Sequence, residues 1–176
     1  MAALAAVEKG EIRVGKKSFA AISAVVLALV AVAAPLVYAD GTEERERYKA
    51  EVEPICKANT KANERILKGV RKEVKEGKLK PAGRKFARAA TALRETVKEL
   101  KAVSKPPEDE AKLTKWLETV EEEANLFQQT ANKLKAGNKN GALQMVIRLE
   151  HNANVANNQV LGFEFHYCRF EPSKFT

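Results

Sequence analysis

Residues 106–137, PPEDEAKLTKWLETVEEEANLFQQTANKLKAG, carry the plainest structural signal in the chain. Leu113, Trp116, Leu117, Val120, Ala124, Phe127, Ala131 and Leu134 recur at steps of three and four. That spacing draws one apolar stripe down one side of a helix. Pro106-Pro107 stops whatever precedes it and suits the opening turn of a new helix. Glu108, Asp109 and Glu110 put carboxylates where the helix dipole favours them. Gly137 supplies the left-handed residue that ends such a helix.

Working outward, the same period recurs three more times. One pattern runs from about Glu43 to Glu76, with Tyr48, Val52, Ile55, Ala58, Ala62, Ile66, Val70 and Val74 as its stripe. Pro54 lies inside it and either kinks the helix or marks its true first turn. Gly77-Lys78-Leu79-Lys80-Pro81 ends it. The next runs from about Ala82 to Val103 on Phe86, Ala90, Leu93, Val97, Leu100 and Val103. The last begins near Asn140, a good N-cap type, and uses Ala142, Val146, Leu149, Ala153, Ala156 and Val160 before Gly162. Its alanines predict a close approach to neighbouring helices. Four helices joined by three short connections predict an all-α fold, an up-down-up-down four-helix bundle. Composition agrees: 9 glycines and 6% aromatic residues in 176 argue against a β-sandwich or barrel.

The first forty residues are a different kind of chain. Phe19 to Val37 carries no charge, follows Lys16-Lys17, and is broken by Pro35. Val37-Tyr38-Ala39 then places small residues at the two positions a signal peptidase reads. Residues 1–39 are therefore read as a signal peptide, or as an N-terminal membrane anchor if uncleaved, since 19 apolar residues just span a bilayer. Glu8-Lys9-Gly10-Glu11 is the kind of stretch a purine-rich ribosome-binding site would encode, which makes Val14 an alternative start to Met1. The expected organisation is a leader at 1–39, a bundle at 40–162 and an aromatic tail at 163–176, in an extracytoplasmic protein. After cleavage, 27 Lys and Arg face 21 Asp and Glu.

Two cysteines in an exported chain suggest one disulfide. Cys56 is early in the first helix and Cys168 follows the fourth, so an up-down-up-down bundle brings both to one end. The expected bridge pins the tail to the first helix. In that tail Phe163, Phe165 and Tyr167 alternate with Glu164, His166 and Cys168, a period of two that predicts an extended segment with an aromatic face. It reads as a strap over the bundle's end, or as the roof of a ligand groove. Tyr48, Val52, Ile55-Cys56, Pro106-Pro107 and Gly162-Phe163 ahead of Cys168 together resemble a broad group of small exported helical proteins of high-GC Gram-positive bacteria. The resemblance implies a leader, a four-helix domain with a cysteine near each end, and no particular activity.

Catalytic patterns are scarce. Arg148 and Phe163 stand three residues before His151 and His166, so the Glu-x-x-His of di-iron bundles is missing. No C-x-x-C-H or G-x-S-x-G occurs, and Met145 sits beside a stripe as packing. No enzyme activity, metal or cofactor is expected. His151 with Asn152, Asn154, Asn157 and Asn158 reads as a solvated helix face, as does the run Glu121-Glu122-Glu123.

Charge is the informative surface signal. From Lys57 to Lys105 there are 16 basic and 5 acidic residues; from Pro106 onward there are 8 and 10. Either acidic and basic helices complement each other, or a basic face meets an anionic partner. Lys61, Lys68, Arg71, Lys72, Lys75, Arg84, Lys85 and Arg88 would form that face, toward anionic envelope polymers, anionic lipids or an acidic protein. Nucleic acid is not expected, because no aromatics interleave with the cations as stacking platforms. The expected function is a non-catalytic binding or structural role at the cell envelope. The alternative is a small-molecule, haem or metal carrier with a pocket roofed by the aromatic tail.

Overall fold

In the computed structural model, which describes residues 41–171, the chain forms α1 (Gly41–Leu67), α2 (Val70–Lys75), α3 (Leu79–Ala102), α4 (Glu110–Lys135) and α5 (Lys139–Gln159). Short 3-10 turns occupy Pro107–Asp109 and Leu161–Phe163. The described residues are all-α: four long helices, one short one and no strand. The leader at 1–39, the Val14 start and Phe175 at the end of the tail lie outside them.

The α3, α4 and α5 stripes fall where the period placed them. Every stripe residue of α4 is buried, and Ala142, Leu149, Ala153 and Ala156 are buried on α5. The first pattern needs correction. It is not one helix to Glu76: Gly69 adopts a left-handed conformation at φ 79°, which ends α1 and restarts the chain as α2. The Lys85 ammonium seals this break, donating to the Lys68 carbonyl at 2.8 Å and pairing with Glu73 at 2.6 Å. The α1 face is also rotated. Ala58 is exposed, while Asn63 and Leu67 are buried. Pro54 lies inside the continuous helix on its exposed side.

Two further expectations change. The N-cap of α5 is Asn138 rather than Asn140, because its Oδ1 accepts from the Gly141 N–H at 2.7 Å, three residues on. The tail is not an extended strand. It leaves a 3-10 turn through Glu164 at φ 50° and continues as a series of bends, so Cys168 is buried where strict alternation would expose it.

Helix packing runs in sequence: α1 lies on α3, α3 on α4 and α4 on α5. Gly83 permits the tightest α3–α4 approach; a Cβ there would meet the Ala131 carbonyl oxygen at 2.9 Å. Asn152 ties α5 to α4 by donating to the Thr119 carbonyl at 3.0 Å and to Glu123 at 2.6 Å. No comparable interface joins α1 to α5. The tail fills that seam at one end, and α2 borders it at the other.

Candidate functional site

The tail is held by four kinds of contact. Cys56 and Cys168 form the disulfide, with Cα atoms 5.0 Å apart. The Glu53 carboxylate accepts from the His166 and Tyr167 N–H groups. Asn157 on α5 brackets Phe170, donating to its carbonyl at 2.9 Å and accepting from its N–H at 2.8 Å. Phe163 and Phe165 stack at 5.3 Å and drive into the core against Tyr48 and Trp116. Burial pushes the Tyr48 hydroxyl up to about 12, and neither it nor the Trp116 N–H finds a partner among the described residues. Arg45 lies over the Phe163 ring and pairs with the buried Asp109 carboxylate, which that hydrogen bond holds below the usual range. Asp109 thus turns to Arg45 rather than capping α4.

Beneath the tail is a cavity of about 290 Å³ whose walls come from α1, α3, α4 and the tail itself. Phe127, Phe165 and Phe170 supply aromatic surface, and Asn63, Thr96 and Glu123 supply polar groups. Glu123 is 2% exposed. Desolvation raises its carboxyl from 4.5 to about 7, against the lowering effect of the Asn152 hydrogen bond. The run Glu121–Glu123 is not solvated throughout: Glu121 and Glu122 are exposed, but Glu123 is core. Its signal was spacing: Trp116, Val120, Glu123, Phe127, Thr130 and Leu134 alternate steps of four and three. Asn152 and Asn157, read as part of a solvated face, hold Glu123 and the tail instead, while His151 is exposed.

A second cavity, about 240 Å³, lies between α2 and α5 at the other end of the seam. Val70, Val74, Phe86, Leu134 and Val146 make it apolar, and Arg71, Lys75 and Lys139 stand around it. Its floor adjoins that of the first, since the Phe86 and Phe127 rings lie 5.7 Å apart. Leu143 and Ile147 on α5 are 57% and 52% exposed, and Leu143 also lines this cavity.

The structure divides the eight cations of the anticipated face. Arg71 and Lys75 flank the apolar cavity. Lys68, Lys85 and Arg88 line a shallow cleft between α1 and α3, joined by Arg65, which is not one of the eight. Lys61, Lys72 and Arg84 are exposed, with Lys72 3.8 Å from Glu76. Lys85 is occupied in sealing the α1–α2 break. Basic and acidic helices meet by direct pairs, Lys101 of α3 with Glu121 of α4 at 2.7 Å and Arg45 of α1 with Asp109 at the start of α4.

Among the described residues, no group of three or more His, Cys, Asp or Glu side chains is placed to hold a metal ion. None of the described helices is long and apolar enough to cross a membrane. The disulfide is compatible with an oxidising, extracytoplasmic compartment. No protein family, curated protein or solved structure matches the chain.

Proposed function

We propose that this chain is a non-catalytic, extracytoplasmic binding protein that docks on anionic lipid at the cell envelope. One observation carries the reading. Arg71 and Lys75, both in the anticipated basic face, rim an apolar cavity together with Lys139, and Leu143 and Ile147 stand exposed beside it. An anionic polymer would use the cations and leave the apolar surface wet. An anionic amphiphile uses both, setting its acyl chain on Val74 and Leu134 and its headgroup among the cations. The apolar leader segment behind Lys16-Lys17, the disulfide and the resemblance to small exported proteins of high-GC Gram-positive bacteria support export. We read the four long helices as running up and down in turn, which leaves α1–α2 and α5 as the edges of an open seam.

Cosedimentation with vesicles tests this. The protein should pellet with phosphatidylglycerol vesicles and not with phosphatidylcholine vesicles, and binding should weaken as salt screens the headgroups. Arg71→Glu with Lys75→Glu, and separately Leu143→Ser with Ile147→Ser, should each reduce it. Binding that ignores both salt and these variants would contradict the reading. Retention on poly(glycerol phosphate) with no vesicle binding would transfer the role to an envelope polymer.

A further inference from the structure

The cavity beneath the tail is not used by lipid docking, yet it is built like a ligand site. Its deep polar groups are matched in an uneven way. Most of the donors lining it are committed: Asn63 Nδ2 gives one N–H to Asn59 at 3.1 Å, the Thr96 hydroxyl donates to the Ala92 carbonyl at 3.0 Å, and Asn152, beside Glu123, donates to Glu123 and Thr119. The acceptors are not. Asn63 is 6% exposed and its Oδ1 has no donor among the described residues. The Thr96 oxygen retains accepting capacity, and the Glu123 carboxylate, when ionised, can accept more than the one bond Asn152 gives it. A buried acceptor without a donor is expensive, so a ligand that brings N–H groups is favoured there and one that brings only acceptors is not.

The remaining walls point the same way. Phe127, Phe165 and Phe170 offer ring surface suited to an apolar body and to a nearby cation. Tyr167 contributes less, because Lys57 already sits over its ring at 4.8 Å. The outer lining holds the carboxylates of Glu64 and Glu171 together with Arg169 and His166. The roof is fixed in advance by the disulfide, by Glu53 and by Asn157. A ligand therefore need not organise the tail in order to bind. At about 290 Å³ the space suits a small molecule rather than a haem or a peptide.

We propose that this cavity binds a small organic amine with an apolar body, its ammonium set against Asn63 and Glu123 and its body among Phe127, Phe165 and Phe170. The site adjoins the lipid-docking cavity at its floor but shares no lining residue with it, so either can fail without the other.

The test is calorimetric titration of the disulfide-intact protein at pH 8 with phenethylamine and with 3-phenylpropionate, which share an aryl body and differ in charge. Phenethylamine should bind saturably, and 3-phenylpropionate about ten-fold more weakly or worse. Glu123→Gln should weaken phenethylamine by about ten-fold or more, because a charge-assisted bond becomes a neutral one. Thr60→Trp, at a half-buried position on the cavity wall, should block both ligands without altering the buried core. No phenethylamine binding, equal affinity for the two ligands, or undiminished binding to the folded Glu123→Gln or Thr60→Trp protein would overturn the proposal.

Discussion

Glu123→Gln should make this protein more stable at alkaline pH, and the gain should vanish in acid. Glu123 sits among Phe127, Val120 and Ala124 on α4, 2% exposed, with Asn152 donating at 2.6 Å. Burial raises its folded-state carboxyl to about 7, against 4.5 for the free group, and the neighbouring Glu122 charge adds to the rise. A raised carboxyl binds its proton more tightly when folded. Stability is then unaffected by this group below about 4.5, falls as pH rises from there to about 7, and stays low above. The gap between 4.5 and about 7 corresponds to about 3 kcal/mol. Gln keeps the shape and the acceptor for Asn152 and carries no charge at any pH. Urea unfolding followed by helical circular dichroism at pH 4, 5, 6, 7 and 8 gives the comparison. The difference between wild type and Glu123→Gln removes every other titrating group. It should be near zero or slightly negative at pH 4 and approach about 3 kcal/mol in favour of Gln by pH 8. Parallel curves, or a wild type favoured at pH 8, would refute the assignment of Glu123 as a buried, desolvated carboxyl.

Other perturbations follow from the same structure. The Cys56–Cys168 bridge joins residues 112 apart in sequence, so a Cys56→Ser/Cys168→Ser double variant should lose about 5 kcal/mol by the chain-entropy account, read as a shifted urea midpoint; an unshifted midpoint contradicts this. Gly83→Ala gains about 1 kcal/mol of helix propensity, but its Cβ would meet the Ala131 carbonyl at 2.9 Å. Net destabilisation of about 1–2 kcal/mol is expected, and a raised melting temperature would show that α3 and α4 separate freely. Arg45→Ala leaves the Asp109 carboxylate buried without its guanidinium. The Asp109 carboxyl is depressed when folded, so its contribution is present at neutral pH and lost as pH falls through its folded value. The destabilisation by Arg45→Ala should therefore shrink in acid; a pH-independent loss points instead to its packing on Phe163.

How legible this was depended on the range of the interactions. The α3 and α4 stripes are local and amphipathic, and Leu93, Leu100, Trp116 and Leu134 are buried as their spacing required. Gly69 was hidden because Ile66, Val70 and Val74 keep helical spacing across it, while its left-handed turn is fixed by Lys85, a residue 16 positions later. Glu123 was hidden by its neighbours: a run of three glutamates reads as solvent, although only the third falls on the heptad of Trp116 and Phe127. The Cys56–Cys168 disulfide was legible from the even cysteine count and from the expectation that an alternating bundle would bring the two together. The cavities were not. Each is walled by residues of four separate elements, α1, α3, α4 and the tail for one and α2, α3, α4 and α5 for the other, and no local pattern shows which elements meet. Asn63 shows the same limit, since its burial follows from a rotation of α1 that the alanines at 58 and 62 concealed.

The proposed docking puts an anionic lipid surface at the α2–α5 end of the seam. Amide hydrogen exchange of the intact protein, with and without phosphatidylglycerol vesicles at low salt, tests it most directly. Exchange should slow in Val70–Lys75 and over residues 139–147, with α3 and the tail unchanged. Protection absent from those two segments while vesicles are bound, or confined to the α1–α3 cleft around Lys68 and Arg88, would contradict it.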